Sequence, residues 1–168
     1  MSVDAGRELE LSATRWIPAP PSEVWIACTT KVALERWWSP EDLRTSVRRL
    51  EVRPGGAIVF HVTYVPALLS PTTTETFTAA RIPIAFDLRG KFADLVEHQR
   101  LTYDLTLDLG RAGTGIPMST RIELEPERGG TRVTLVGRGK GTPHWATLGK
   151  QNLGAQLERL ERAVGQRS

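Results

Sequence analysis

Tyr103 sits in a run where Leu101, Leu105, Leu107 and Leu109 alternate with Thr102, Asp104, Thr106 and Asp108, so its phenol shares a strand face with leucines. A phenol in that position can donate a hydrogen bond to a carbonyl or hydroxyl of a ligand while its ring packs. It could also act as a general acid or base in a cyclase or hydratase reaction. The plainer reading is a core tyrosine whose hydroxyl is satisfied by backbone or solvent. Tyr64 has the inward phase of its own run, with Ile58, Phe60 and Val62. His144, beside Trp145 and directly after Thr142-Pro143, is the histidine best placed for proton transfer. No carboxylate lies near it in sequence, so a capping or surface role is the simpler reading. His61 is out of phase with Phe60 and Val62, and His98 adjoins Glu97 in a turn, so both are expected at the surface.

Other chemistries lack their residues. The three histidines and Cys28 show no metal-ligand spacing, so no metal and no cofactor is expected. A lone cysteine excludes an intrachain disulfide, and beside Val24 and Trp25 it reads as an inert buried thiol. There is no Gly-x-Ser-x-Gly elbow, and the acids fall on outer strand positions, with Asp87 and Arg89 read as a surface ion pair. Gly137-Arg138-Gly139-Lys140-Gly141-Thr142 could set backbone amides around an anionic ligand group at a helix start. Its spacing is not that of a P-loop, and a flexible turn is expected.

Trp37 and Trp38 stand side by side and are closed off by Ser39-Pro40. A helix stopped there can bury one indole and turn the other toward a cleft. Trp37 is expected to be the anchor and Trp38 the ligand contact.

The elements that must position these groups follow from hydrophobic period. Leu9, Leu11 and Ala13 alternate with polar residues up to Trp16-Ile17, a first strand ended by Pro18, Pro20 and Pro21. Ser22-Glu23 open a helix carrying Val24, Trp25, Cys28 and Val32, and a second short helix runs from Leu34 to the tryptophan pair. Period two then dominates to about residue 139. Leu50-Glu51-Val52 leads to the Pro54-Gly55-Gly56 turn; the Ile58, Leu88–Leu95, Leu101, Met118 and Val133 runs follow, with Gly129-Gly130 as another turn. Short turns between strands imply an antiparallel sheet with one wet face. Trp145, Leu148, Leu153, Leu157, Leu160 and Val164 mark one face of a long final helix, which needs the apolar side of that sheet. The expected class is α+β: a curved antiparallel sheet of six or seven strands wrapped on a long C-terminal helix, with two short helices after the first strand. The segment from about 66 to 86, rich in Pro, Ser and Thr, fits no element well and reads as a lid-like insertion with a short strand near Thr76-Phe77-Thr78.

A chain of 168 residues suits one domain spanning 1–168. Its net charge of +3 is well short of a nucleic-acid footprint. Arg44, Arg48, Arg49 and Arg53 gather in one segment without interleaved aromatics and read as solvated arginines. No apolar run could span a bilayer, and Met1 to Gly6 has no secretory core, so no membrane insertion and a cytoplasmic location are expected. A homodimer is allowed for.

Ile17-Pro18-Ala19-Pro20 with Val24-Trp25, Trp37-Trp38-Ser39-Pro40, Glu51-Val52-Arg53-Pro54-Gly55-Gly56, and Gly90 followed by Arg100-Leu101-Thr102-Tyr103 resemble the heat-shock-protein-90 ATPase activator C-terminal-like family. That family belongs to the START and polyketide cyclase (SRPBCC) superfamily. The resemblance runs from about residue 8 to 164 and implies a helix-grip fold with a deep cavity between sheet and final helix. Superfamily members bind apolar molecules there, and some catalyse cyclisation or hydration. The implied function is binding of a small, largely apolar ligand lined by Trp38, Phe60, Tyr64, Tyr103, Trp145 and Leu148. An enzyme of the cyclase or hydratase kind using Tyr103 or His144, and a chaperone-interacting module, are the alternatives. Two features depart from the family: Asn152-Leu153 stands where relatives often have Gly-Trp, and the 66–86 insertion is longer.

Overall fold

The computed structural model describes residues 8–65, 70–71, 74–75, 78, 85–108, 115–140 and 143–165, the side chains of 143–149 excepted. Seven strands form one antiparallel sheet: β1 (Glu8–Ile17), β2 (Leu43–Leu50), β3 (Ala57–Tyr64), β4 (Ala85–Val96), β5 (Arg100–Asp108), β6 (Gly115–Glu127) and β7 (Gly130–Lys140). Their order is β1-β7-β6-β5-β4-β3-β2, so the sheet is unclosed and its edges are the first two strands in sequence. The chain crosses from one edge to the other through α1 (Pro21–Thr29) and α2 (Lys31–Trp37). The final helix, α3 (Pro143–Gly165), packs on β1, β7, α1 and α2.

Local chemistry accounts for these boundaries. Pro20 precedes α1 and Pro21 occupies its first turn, where the missing N–H costs nothing. Thr30 is extended and separates α1 from α2. The Trp38 N–H bonds the Leu34 carbonyl at 2.9 Å to close the last turn, and Pro40 blocks continuation. The turn into β3 needs Gly55, whose φ of +79° is left-handed. Strand β4 needs Gly90 for a different reason: a Cβ there would lie 1.7 Å from the Asp104 carbonyl oxygen on β5. Register shifts at Val47/Arg49 in β2 and Phe92/Leu95 in β4 add bend to the sheet.

Alternation puts Ile58, Phe60, Val62, Leu88, Leu101, Tyr103, Leu105, Ile122, Leu124, Val133 and Leu135 on the buried face. Leu157, Leu160, Ala163 and Val164 of α3 are buried with them in one core. Each large aliphatic side chain buried there contributes about 2 kcal/mol. The α+β class, the long final helix and the two short helices after β1 are as the residue pattern implies.

Some boundaries differ. The strand expected near Leu50–Val52 is β2, earlier in the chain, because the backbone turns at Glu51 with the Arg53 N–H on the Glu51 carbonyl. Ala85 and Phe86 belong to β4, so the insertion ends sooner than residue 86. Thr78 is helical, as are Pro71, Thr74 and Glu75, with the Thr74 N–H on the Ser70 carbonyl at 3.0 Å; Thr76 and Phe77 lie outside the described residues. Gly137 to Lys140 do not form a turn but complete β7, paired with β1 and β6, while Gly141 and Thr142 lie outside the described residues.

Candidate functional site

The tryptophan pair divides by direction. Trp37 is 1% exposed, and its indole N–H donates to the Ala27 carbonyl at 2.8 Å, tying α2 to α1. Trp38, one residue on, is half-buried. Its indole packs edge-on against Phe60, with centroids 4.8 Å apart, and its Nε1–H donates to the Tyr103 hydroxyl at 2.9 Å. Three of the residues singled out in the sequence, Trp38, Phe60 and Tyr103, therefore meet on the inner face. Phe92, directly across the β4–β5 ladder, stands edge-on to the Tyr103 ring with centroids 6.2 Å apart.

Tyr103 is buried on β5 opposite Thr120 of β6. Burial holds its phenol well above the usual range, and the Cys28 thiol nearby adds to this, while the Trp38 and Thr120 side-chain hydrogen bonds act in the opposite sense. At neutral pH the group is a neutral phenol with one O–H to donate and a lone pair committed to Trp38. Cys28 is fully buried with its pKa pushed up to about 12 by desolvation, so it stays a thiol.

Burial along the inner face is graded. At one end Ile17, Leu101, Ile122, Leu124, Val133 and Leu135 are sealed. Toward the other end, Ile116, Met118, Leu43 and Leu153 pack against the core but are only partly buried. Gly137 and Gly139 stand opposite Thr120 and Met118 on β7. A Cβ on Gly137 would meet Leu153 at 3.8 Å, so α3 lies directly above it. Tyr64 is half-buried at this end of β3, opposite Leu43. Burial raises its phenol pKa, and the nearby Asp42 charge adds to the effect. Asp42, itself buried, accepts from the Ser70 N–H at 3.3 Å and the Ser70 hydroxyl at 3.1 Å. It thereby ties the start of the segment after β3 to the loop that follows the tryptophans. His144, Trp145 and Leu148 lie in the first turns of α3, where side chains are outside the described residues.

The polar face carries the groups read as surface residues. His61 Nδ1 and Asp87 Oδ1 are 2.7 Å apart, and Arg89 reaches the other Asp87 oxygen at 2.7 Å. The His61 hydrogen bond is the main reason the Asp87 pKa is lowered. His98 is exposed at a turn with φ of 63° and stands edge-on to Trp25. A broad open trough of about 830 Å³ runs across this face between Arg89, Lys91, Asp104, Ser119 and Arg138. It is not the apolar cavity that the resemblance implies between sheet and final helix. Among the described residues no His, Cys, Asp and Glu side chains cluster to hold a metal ion, and no helix is long and apolar enough to cross a membrane.

Sequence reasoning missed the contacts that α3 makes to the tryptophan pair. Gln156 Nε2 donates to the Trp38 carbonyl at 2.6 Å, and Arg159 Nε donates to the Trp37 carbonyl at 3.1 Å. Their spacing of three residues on one helix face was the only available signal. Glu35 is likewise unannounced: its carboxylate accepts from the Val47 N–H at 2.8 Å and covers part of the β2 edge.

Solved structures share this arrangement. A protein from Chromobacterium violaceum matches with a TM-score of 0.69 at 25% identity, covering 92% of this chain and 96% of that one. One from Nitrosomonas europaea matches with a TM-score of 0.67 at 24% identity over 100% of both chains. The AHSA1-like protein from Aeromonas hydrophila matches with a TM-score of 0.65 at 20% identity, covering 94% and 92%. No curated protein matches the sequence. The family model described as Activator of Hsp90 ATPase homolog 1-like protein matches residues 18–165. With a match of that extent on a seven-stranded sheet and its long final helix, the chain belongs to the Activator of Hsp90 ATPase homolog 1-like family of the SRPBCC superfamily.

Proposed function

We propose that the chain binds a small, largely apolar molecule between the inner face of the sheet and α3. The observation that carries this reading is the Trp38–Phe60–Tyr103 group: a half-buried indole, fixed by ring packing and by the Tyr103 hydroxyl, beside the partly buried end of the core. Ile116, Met118 and Leu153 supply apolar walls beside it. Trp38, Phe60 and Tyr103 contact the ligand in this reading. Tyr64 at the mouth, and Trp145 and Leu148 from the first turns of α3, are the further ligand contacts proposed. The segment after Tyr64, tied down by Asp42 and Ser70, acts as the lid. The proposal includes a cytoplasmic location and no nucleic-acid partner, both of which rest on the sequence.

The chemistry of Tyr103 supports binding over catalysis. A phenol whose ionisation is suppressed by burial is a poor base at neutral pH, yet it is a sound hydrogen-bond donor to a ligand carbonyl or hydroxyl. The test is a titration of hydrophobic fluorophores and apolar small molecules, read by tryptophan emission and melting temperature. Binding should quench Trp38 and raise the melting temperature with ligand concentration. Unchanged emission and an unchanged melting temperature across the set would refute the reading.

A further inference from the structure

On the helical side of the molecule, away from the Trp38 site, Arg36 of α2 and Arg159 and Arg162 of α3 face a hollow of about 200 Å³, with Glu41 and Ala163 completing its wall. At about 30 Å³ per water, such a hollow holds one small oxyanion together with a few waters. Arg159 is 8% exposed, so the residue as a whole is more than nine-tenths buried. Its Nε–H is used by the Trp37 carbonyl, but its Nη2 is sealed and has no acceptor among the described residues. A structural tie between α3 and the end of α2 explains the Nε bond. It does not explain why a full positive charge is buried with only a neutral carbonyl as acceptor, or why two more arginines converge on it.

The anions already present leave the site cationic. Glu41 is exposed and sits 3.6 Å from Arg162 Nη2, too far for a strong hydrogen bond. The Asp42 carboxylate is engaged by Ser70. Glu158 lies on the exposed side of α3. Ala163, one turn beyond Arg159, keeps the floor low enough for a group to enter.

We propose that Arg36, Arg159 and Arg162 form an oxyanion-binding site that takes a phosphate-type or carboxylate group. The exposed Arg36 and Arg162 guanidinium forks supply paired N–H donors of the geometry such groups accept, and Arg159 adds its charge at the wall. The site is separate from the inner cavity, so it stands or falls independently of the apolar-ligand reading.

The experiment uses the full chain and inorganic phosphate, with acetate as the carboxylate arm and chloride at matched ionic strength as reference. Binding is followed by calorimetry and by melting temperature. Phosphate or acetate should raise the melting temperature beyond chloride. Arg36→Gln with Arg162→Gln, both exposed and outside the core, should weaken binding about tenfold or more, as expected for loss of charge-assisted bonds. Glu41→Gln should strengthen binding, because it removes the competing carboxylate. Arg44→Gln with Arg48→Gln, on β2, should leave binding unchanged. No difference between either oxyanion and chloride would overturn the proposal. So would binding that survives in the Arg36/Arg162 double variant or disappears in the Arg44/Arg48 one.

Discussion

The Trp38 indole N–H donates to the Tyr103 hydroxyl at 2.9 Å, joining the end of α2 to the middle of β5 across 65 residues of sequence. The bond fixes both side chains on the inner face. A double-mutant cycle isolates it. Trp38→Phe and Tyr103→Phe should each cost about 1 kcal/mol, and the double variant should cost less than their sum by a coupling of about 1 kcal/mol. Urea unfolding monitored by circular dichroism gives all four values. Strict additivity would mean that the bond contributes nothing.

The neighbouring indoles should respond differently to the same substitution. Trp37→Phe removes volume from the sealed core and leaves the Ala27 carbonyl without its donor, for an expected loss of about 2–4 kcal/mol. Trp38→Phe should be milder in stability and should account for most of any loss in apolar-ligand affinity. Equal stability losses with equal affinity losses would remove the distinction between anchor and contact.

Alkaline pH should destabilise the fold through Cys28 and Tyr103. Both groups have folded pKa values raised by burial, so the native state keeps protons that the unfolded chain releases. Their contribution is complete below the ordinary thiol value of 9.0 and is lost as pH rises toward the folded Cys28 value of about 12. The urea midpoint should fall across that interval, and Cys28→Ala should flatten the fall. The Cys28 thiol should also resist maleimide in the native protein at neutral pH and react on unfolding. Rapid native labelling would contradict the assigned burial.

Gly90→Ala should be severe for a single methyl group. The added Cβ would meet the Asp104 carbonyl oxygen at 1.7 Å, and backbone on a central ladder cannot move aside without breaking the β4–β5 pairing. A loss of about 3 kcal/mol or more is expected. By contrast, Asp87→Asn, which removes the His61 and Arg89 pairings on the polar face, should cost at most about 1 kcal/mol. Thermal unfolding of the two variants side by side checks the order.

Much of this molecule could be read directly from residue order. Strict alternation from Leu101 to Leu107 places Tyr103 inward, because successive strand side chains point to opposite faces; Pro21 and Pro40 mark where helices begin and must stop. The face of α3 that carries Leu157, Leu160 and Val164 was likewise set by helical period. What no local rule contains is the meeting of elements distant in sequence. The strand order, with β1 and β2 at opposite edges, brings α2 beneath α3, and only then do Gln156 and Arg159 reach the carbonyls of Trp38 and Trp37. Gly137 and Gly139 show the same division: in sequence they look like a turn, but pairing with β1 and β6 makes them strand. The direction of each side chain follows from backbone period, a property of neighbours along the chain. Its partner follows from how the sheet curves and what packs on it, which depends on the whole chain at once.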